Sequence, residues 1–239
     1  MGLKDQQSVG SGDNSLAGVA LLAGLGKKEL AAVEKACRWR RYASHQQIID
    51  KESSTRDVCF VVKGRVRVVN YSYSGRGIIL DELLPGSYFG ELSAIDGLPR
   101  SARVVALGEA IIAFLPRPAF LRLLEVHPPL GLKVMAHLAH IVRTSTQRIM
   151  DLSTLGANNR VHADLLRHAG DIDDETIEAV IEPVPIHSDI ASRVSTTRET
   201  VARVMNDLVR KGIVAKKENT LFILDVQRLR DMVEDVRGE

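Results

Sequence analysis

The apolar residues change period once, and the change falls on His127-Pro128-Pro129. Before it, apolar residues come in short β-rich runs: Ile48-Ile49, Val58 to Val62, Val66 to Val69, Ile78 to Leu80, Arg103 to Ala106 and Ile111 to Leu115. Gly64, Gly75, Gly77, Pro85-Gly86 and Gly97 punctuate them. Short strands at roughly 8–12-residue spacing predict a β-barrel or β-sandwich. After the prolines, Val134, Leu138, Ile141, Ser145, Leu152 and Leu155 recur at near-heptad spacing, and Met135, Val142 and Ile149 widen the stripe. Proline is tolerated in the first turn of a helix, so one long helix over 128–155 is predicted. A helix can bury such a stripe in its own domain. A seam of about three heptads also suits pairing with a second copy. We favour a homodimer, with Val134, Leu138, Ile141, Ser145, Ile149 and Leu152 at the interface.

The remaining segments are read around this helix. Residues 1–15 are polar and rich in Gly, Ser and Asp, which predicts a mobile tail. Leu16 to Trp39 reads as short helices, with Leu30, Val33, Ala36 and Cys37 at helical spacing. Phe120 to Val126 reads as another. Gly156-Ala157-Asn158 interrupts the long helix and marks a hinge, since Gly and Asn end one helix and start the next. No basic segment followed by an apolar run opens the sequence, and no apolar run is long enough to span a bilayer. A cytoplasmic protein without a membrane role is expected. The two cysteines, Cys37 and Cys59, lie within apolar patterns and make neither a CxxC nor a disulfide framework. No metal site is expected. The ten aromatic residues are too few for a base-stacking platform.

The C-terminal third carries a specific pattern. Ile186 to Val194 predicts a short helix with Ile190, Ala191 and Val194 on one face. Ser195-Thr196-Thr197 forms a turn, and the Thr197 hydroxyl can cap a second helix through Lys211. On that helix Val201, Val204, Met205 and Leu208 share the inward face, while Arg198, Glu199 and Arg203 face out. A helix, tight turn and charged helix is the helix-turn-helix pattern, although Ser195 stands where such turns usually carry Gly. Arg can donate twice to guanine and Glu can accept from cytosine in the major groove. A hairpin around Glu218-Asn219 follows, and its Lys216 and Lys217 suit backbone phosphate. Asp225 is positioned to cap a last helix.

The other dense motif is Pro85-Gly86-Ser87-Tyr88-Phe89-Gly90-Glu91-Leu92-Ser93-Ala94, followed by Pro99-Arg100-Ser101-Ala102. Gly90 permits close backbone approach. Glu91 to Ala94 can begin a short helix with free N–H groups, and Arg100 and Ser101 suit an anion. Glu91 would repel a bare phosphate but could accept from a sugar hydroxyl. On composition alone a surface Glu–Arg pair reads equally well.

These two motifs together resemble the CRP/FNR superfamily of bacterial transcription regulators. The first is similar to its phosphate-binding cassette. The second, Thr196-Thr197-Arg198-Glu199-Thr200-Val201-Ala202-Arg203, is similar to its recognition helix. The resemblance runs from about Leu16 to Leu224. It implies an α+β chain in four parts: a tail (1–15), a cyclic-nucleotide-binding β-roll (16–127), a dimerisation helix (128–155) and a winged helix-turn-helix (156–239). It also implies that Glu91 binds the ribose 2′-hydroxyl. Arg100, Ser101 and the backbone N–H groups near Gly90 and Leu92 would hold the cyclic phosphate. Thr144, Ser145 and Thr146 would meet the purine. The implied effector is cyclic AMP, with cyclic GMP as an alternative, and the implied partners are a second copy, double-stranded DNA with TGTGA-like half-sites, and RNA polymerase. An effector of another kind, or constitutive activity, is the competing expectation. In the cyclic AMP-responsive branch an Arg one turn before the hydroxyl cluster braces the cassette glutamate. Ile141 stands there in this sequence, which leaves nucleotide discrimination open.

The net charge of +2 first argues against DNA binding. It averages opposed regions. Residues 164–182 hold seven acidic and one basic side chain, whereas residues 186–217 hold seven basic and three acidic. Phosphate attraction acts over a Debye length of about 8 Å, so the local balance matters.

Overall fold

The computed structural model describes residues 15–237 apart from residues 74, 76, 171 and 174. The tail expected over 1–15 lies outside them except for Ser15. Two compact units meet between His140 and Ile141, inside the long helix.

The first unit opens with a 3-10 turn, Ala20–Leu22, and α1 (Lys27–Ala36). Five strands follow: β1 (Arg38–Tyr42), β2 (Gln47–Ile49), β3 (Val58–Lys63), β4 (Val66–Tyr71) and β5 (Gly77–Leu83). Then come β6 (Tyr88–Phe89), α2 (Glu91–Asp96), β7 (Arg103–Ala106), β8 (Ala110–Leu115), α3 (Arg117–Val126) and the start of α4 (Pro128–Thr154). The strands form two antiparallel four-stranded sheets, ordered β1-β8-β3-β6 and β2-β7-β4-β5. Every residue of β8 is buried. Alternation explains how: Ile112 and Phe114 point into one core with Tyr42, Ile49, Val66 and Val104, spanning both sheets. Ala113 and Leu115 point the other way, into a core with Phe60, Phe120, Leu130 and Val134. Successive side chains alternate faces, so a strand covered on both sides reads as an unbroken apolar run.

Two expectations are corrected here. Trp39 belongs to a strand, not a helix: β1 pairs with β8 along its whole length, from Arg38 opposite Phe114 to Tyr42 opposite Ala110. Its three arginines hid it, and they suit its place at the sheet edge, where charge discourages further pairing. Val134, expected at a dimer seam, is 3% exposed in its own domain's core, and Leu138 packs against the same cluster. The exposed apolar side chains of α4 are instead Leu132, Met135, Val142, Ile149, Met150 and Leu152.

The second unit continues α4 and adds α5 (Ala157–His168), β9 (Ala179–Ile181), α6 (His187–Arg193) and α7 (Arg198–Arg210). It ends with β10 (Val214–Lys217), β11 (Thr220–Ile223) and α8 (Val226–Arg237). Strand β11 lies between β10 and β9. The core gathers Val161, Leu165, Ile190, Val194, Val201, Val204, Leu208, Ile213 and Leu229. Asp225 caps α8 by accepting from the Arg228 N–H at 2.9 Å.

Candidate functional site: a buried carboxylate and guanidinium, and an exposed recognition face

In the first unit, β6 ends at Gly90 and α2 begins at Glu91. Gly90 has φ 86°, and a Cβ there would lie 2.4 Å from Arg100 Nη1 and 2.9 Å from the Asp57 carbonyl oxygen. Only glycine fits both the backbone and the approach of Arg100. Arg100 is 4% exposed. It donates from Nη1 to the Gly90 carbonyl at 2.9 Å, from Nη2 to the Asp57 carbonyl at 2.7 Å and from Nε to Thr55 Oγ1 at 3.1 Å. Guanidinium has five N–H donors, so two remain for another acceptor.

Glu91 is 5% exposed, and its Oε2 has no hydrogen-bond partner. Burial pushes its carboxyl above the ordinary range. Its own backbone N–H, His137 and Arg100 pull the other way. The Tyr88 hydroxyl is likewise buried without a partner. Burial pushes that phenol up, and the charge of Glu91 adds to the shift. The Tyr88 ring packs on His137 of α4, centroids 4.7 Å apart. Burial also raises the Cys59 thiol; the charge of Arg100 opposes the shift, and those of Asp57 and Glu91 add to it. Leu92 is 39% exposed, and Ser101 is exposed with its carbonyl accepting from Asn70 Nδ2 at 3.2 Å. A buried carboxylate oxygen lacking a donor, beside a guanidinium with donors to spare and a glycine wall, suits a ligand that joins a hydroxyl to an anion. Thr55, Asp57 and His137 escaped the sequence reading, and Tyr88 stood inside the motif without a role. Thr55 and Asp57 sit in a polar loop, and nothing in the α4 pattern sets His137 apart.

On α4, Ile141 and Thr144 are half-buried and Ser145 and Thr146 exposed. Of the expected hinge residues only Gly156 lies outside a helix; Ala157 and Asn158 open α5.

In the second unit α6 and α7 form the helix-turn-helix. Ser195 takes φ 52°, the left-handed conformation that the usual glycine would adopt freely. Arg160 braces this turn, donating to the carbonyls of Val194 (2.8 Å) and Ser195 (3.3 Å), and to Leu155 (2.8 Å). Thr197 caps α7 as expected, its Oγ1 accepting from the Thr200 N–H at 3.2 Å. Arg198, Glu199 and Arg203 are exposed on one face, and Lys216 and Lys217 are exposed on the hairpin. Glu199 is held below the ordinary carboxylate range, first by its own backbone N–H and then by Thr197. Behind α7, a cavity of about 700 Å³ is lined by Asn158, Asn159, His162, Arg203 and Asp207. His162 is 4% exposed, and burial lowers it to about 4.

A four-charge network ties this unit together. Arg193 holds Asp164 through Nε at 3.1 Å and Nη2 at 2.8 Å, and Arg167 reaches Asp151 at 2.5 Å and Asp164 at 3.9 Å. Asp151 and Asp164 are each 2% exposed.

The comparisons match this division. The cyclic nucleotide-binding domain family matches residues 39–127, and the Crp-like helix-turn-helix domain family matches residues 159–232. The chain thus joins a cyclic nucleotide-binding domain to a DNA-binding domain of Crp-like type. It is 25% identical over 188 residues to the cAMP-activated global transcriptional regulator CRP of Escherichia coli, covering 78% of this chain and 90% of that one. It is 27% identical over 217 residues to the cyclic AMP receptor protein of Thermus thermophilus, covering 90% and 97%. A CooA variant from Carboxydothermus hydrogenoformans shares the fold, with a TM-score of 0.77, 24% identity and coverage of 89% and 95%. The chain belongs to the CRP/FNR superfamily of transcription regulators.

Proposed function

We propose that the protein is a homodimeric regulator that binds cyclic AMP or cyclic GMP and thereby gains affinity for palindromic DNA with TGTGA-like half-sites. The observation that carries this is the open Glu91 Oε2 beside Arg100, within a chain that also exposes Arg198, Glu199 and Arg203 on a recognition helix. Glu91 accepts from the ribose hydroxyl. Arg100 turns its remaining donors to the cyclic phosphate, and Ser101 and the N–H groups near Gly90 and Leu92 assist. Assignment of Thr144, Ser145 and Thr146 to the purine rests on the family resemblance alone. Met135, Val142, Ile149 and Leu152 make the dimer seam, with Ile141 and Ser145 beside them. Gly156 is the pivot between α4 and α5. Arg198 and Glu199 read base edges, and Lys216 and Lys217 hold phosphate. RNA polymerase is the downstream partner. The protein acts in the cytoplasm and catalyses no reaction. Among the described residues no helix is long and apolar enough to cross a membrane.

Calorimetry with cyclic AMP and cyclic GMP on the wild type and Arg100→Ala tests the site; unchanged affinity in the variant removes it. Fluorescence anisotropy on a palindromic duplex tests the switch, which is absent if neither nucleotide tightens binding. Arg198→Ala is expected to cost about 1–3 kcal/mol at one base pair, and a uniform loss across sequences would make it a phosphate contact.

A further inference from the structure

The cavity behind α7 lies wholly within the second unit. Helix α5 lines it with Asn158, Asn159 and His162, which share one face at spacings of three and four. Helix α7 lines it with Arg203, Asn206 and Asp207 at the same spacings. His162 is 4% exposed, and its Nδ1 is buried without a hydrogen-bond partner. Buried polar atoms are nearly always paired, so an unpaired one at a cavity wall points to an occupant. Burial lowers His162 to about 4, and Lys211 pushes the same way. The ring is therefore neutral near pH 7, with one N–H to give. The charges say what the occupant is. Asp207 is the one carboxylate on the lining, and Arg210 at 2.5 Å and Lys211 at 2.8 Å already hold it. Arg203 has no ion-pair partner among the described residues. Its guanidinium, an imidazole N–H and three asparagine amides make a wall rich in donors with no free anion, which suits an anionic ligand. At about 700 Å³ the cavity has the size of a small-molecule site.

We propose that the cleft between α5 and α7 is a separate ligand site for a small organic anion bearing a carboxylate or a phosphate, held by Arg203 and His162, and that this ligand competes with DNA for Arg203. Arg203 is exposed on the recognition face and also lines the cavity. A guanidinium drawn to an anion behind α7 is withdrawn from base edges in front of it. His162 sits too deep for a groove-bound duplex to reach, which favours a small ligand over a backbone phosphate. The site itself stands on the geometry of the second unit; its effect on DNA rests on the recognition-helix reading above.

The test is calorimetry of the full chain with citrate and with glucose 6-phosphate, at matched ionic strength and with glucose as the neutral control. At least one anion should bind the wild type, citrate alone marking a carboxylate ligand and glucose 6-phosphate alone a phosphate ligand. Arg203→Gln should weaken binding tenfold to a hundredfold, about the worth of a charge-assisted hydrogen bond. His162→Phe should abolish it, and His162→Gln, which keeps a donor, should restore it. A thermal melt checks that each variant folds. If His162→Phe is misfolded, the exposed Asn206→Asp decides, since a second carboxylate on the wall should repel the anion tenfold or more. Fluorescence anisotropy on the palindromic duplex should then show the anion weakening DNA binding by the wild type and not by His162→Phe, whose affinity without anion should equal the wild type's. Binding of neither anion, or equal binding by the wild type, Arg203→Gln and Asn206→Asp, overturns the site. Loss of duplex affinity in His162→Phe without added anion makes the cavity part of the DNA contact and overturns the proposal. If the wild type binds no duplex at all, the DNA reading fails and calorimetry still decides the site.

Discussion

Glu91 and Asp164 are buried to nearly the same degree, 5% and 2% exposed, in different units of the chain. Asp164 meets Arg193 at three N–H···O contacts and also neighbours Arg167 and His168. Glu91 keeps one oxygen with no donor. The second unit therefore closes its buried charges on one another, and the first leaves one open. A closed set holds helices together and has little left for a ligand. An open one costs stability in the free protein, and a ligand can supply what it lacks.

The largest test of this contrast is Asp164→Asn. It leaves the Arg193 side chain, 7% exposed, without its carboxylate, and should cost about 3–5 kcal/mol in urea unfolding. A loss below about 1 kcal/mol would break the comparison, since that is the range of exposed pairs. Next is the pH dependence set by His162. Its value falls from 6.5 to about 4 on folding, so the unfolded chain takes up its proton first. The native state should lose about 2–3 kcal/mol as pH drops from 6.5 towards 4, and none above that interval. His162→Gln should flatten this slope in pH-dependent thermal melts. Thr197→Ala should cost about 1 kcal/mol through loss of the cap on α7. Glu91→Gln should change stability least, by under about 1 kcal/mol, because its open oxygen makes no bond to lose. The same variant should weaken cyclic nucleotide binding tenfold to a hundredfold, about the worth of a charge-assisted hydrogen bond. A large stability loss in Glu91→Gln would place it with Asp164 as a structural charge.

The same contrast explains what could be read in the sequence. Long elements with a clear period were legible: α4, α7 with its Thr197 cap, and the apolar runs of β3 and β8. The cassette and recognition helix were legible as motifs because their residues are adjacent in sequence. Strand β1 was not, since Arg38, Arg40 and Arg41 interrupt its period and its partner lies about 70 residues away. The heptad did not say which of two neighbouring stripes faces the domain itself, so Val134 was assigned to a partner and Met135 only to the margin. Nor does sequence show which buried atoms go unpaired. The roles of Thr55, Asp57 and His137 depend on loops and a helix brought to one place by the two sheets.

Arg160 has a mechanical consequence. From the first turn of α5, its three bonds join the end of α4 to the turn that launches α7, a shorter route than the chain path through the rest of α5 and α6. The recognition helix is thus geared to the last turn of α4 by a rigid planar cog, where a flexible tether would let it drift. Under the proposed function, a small rotation of that turn would alter the angle at which Arg198 and Glu199 are offered to a groove.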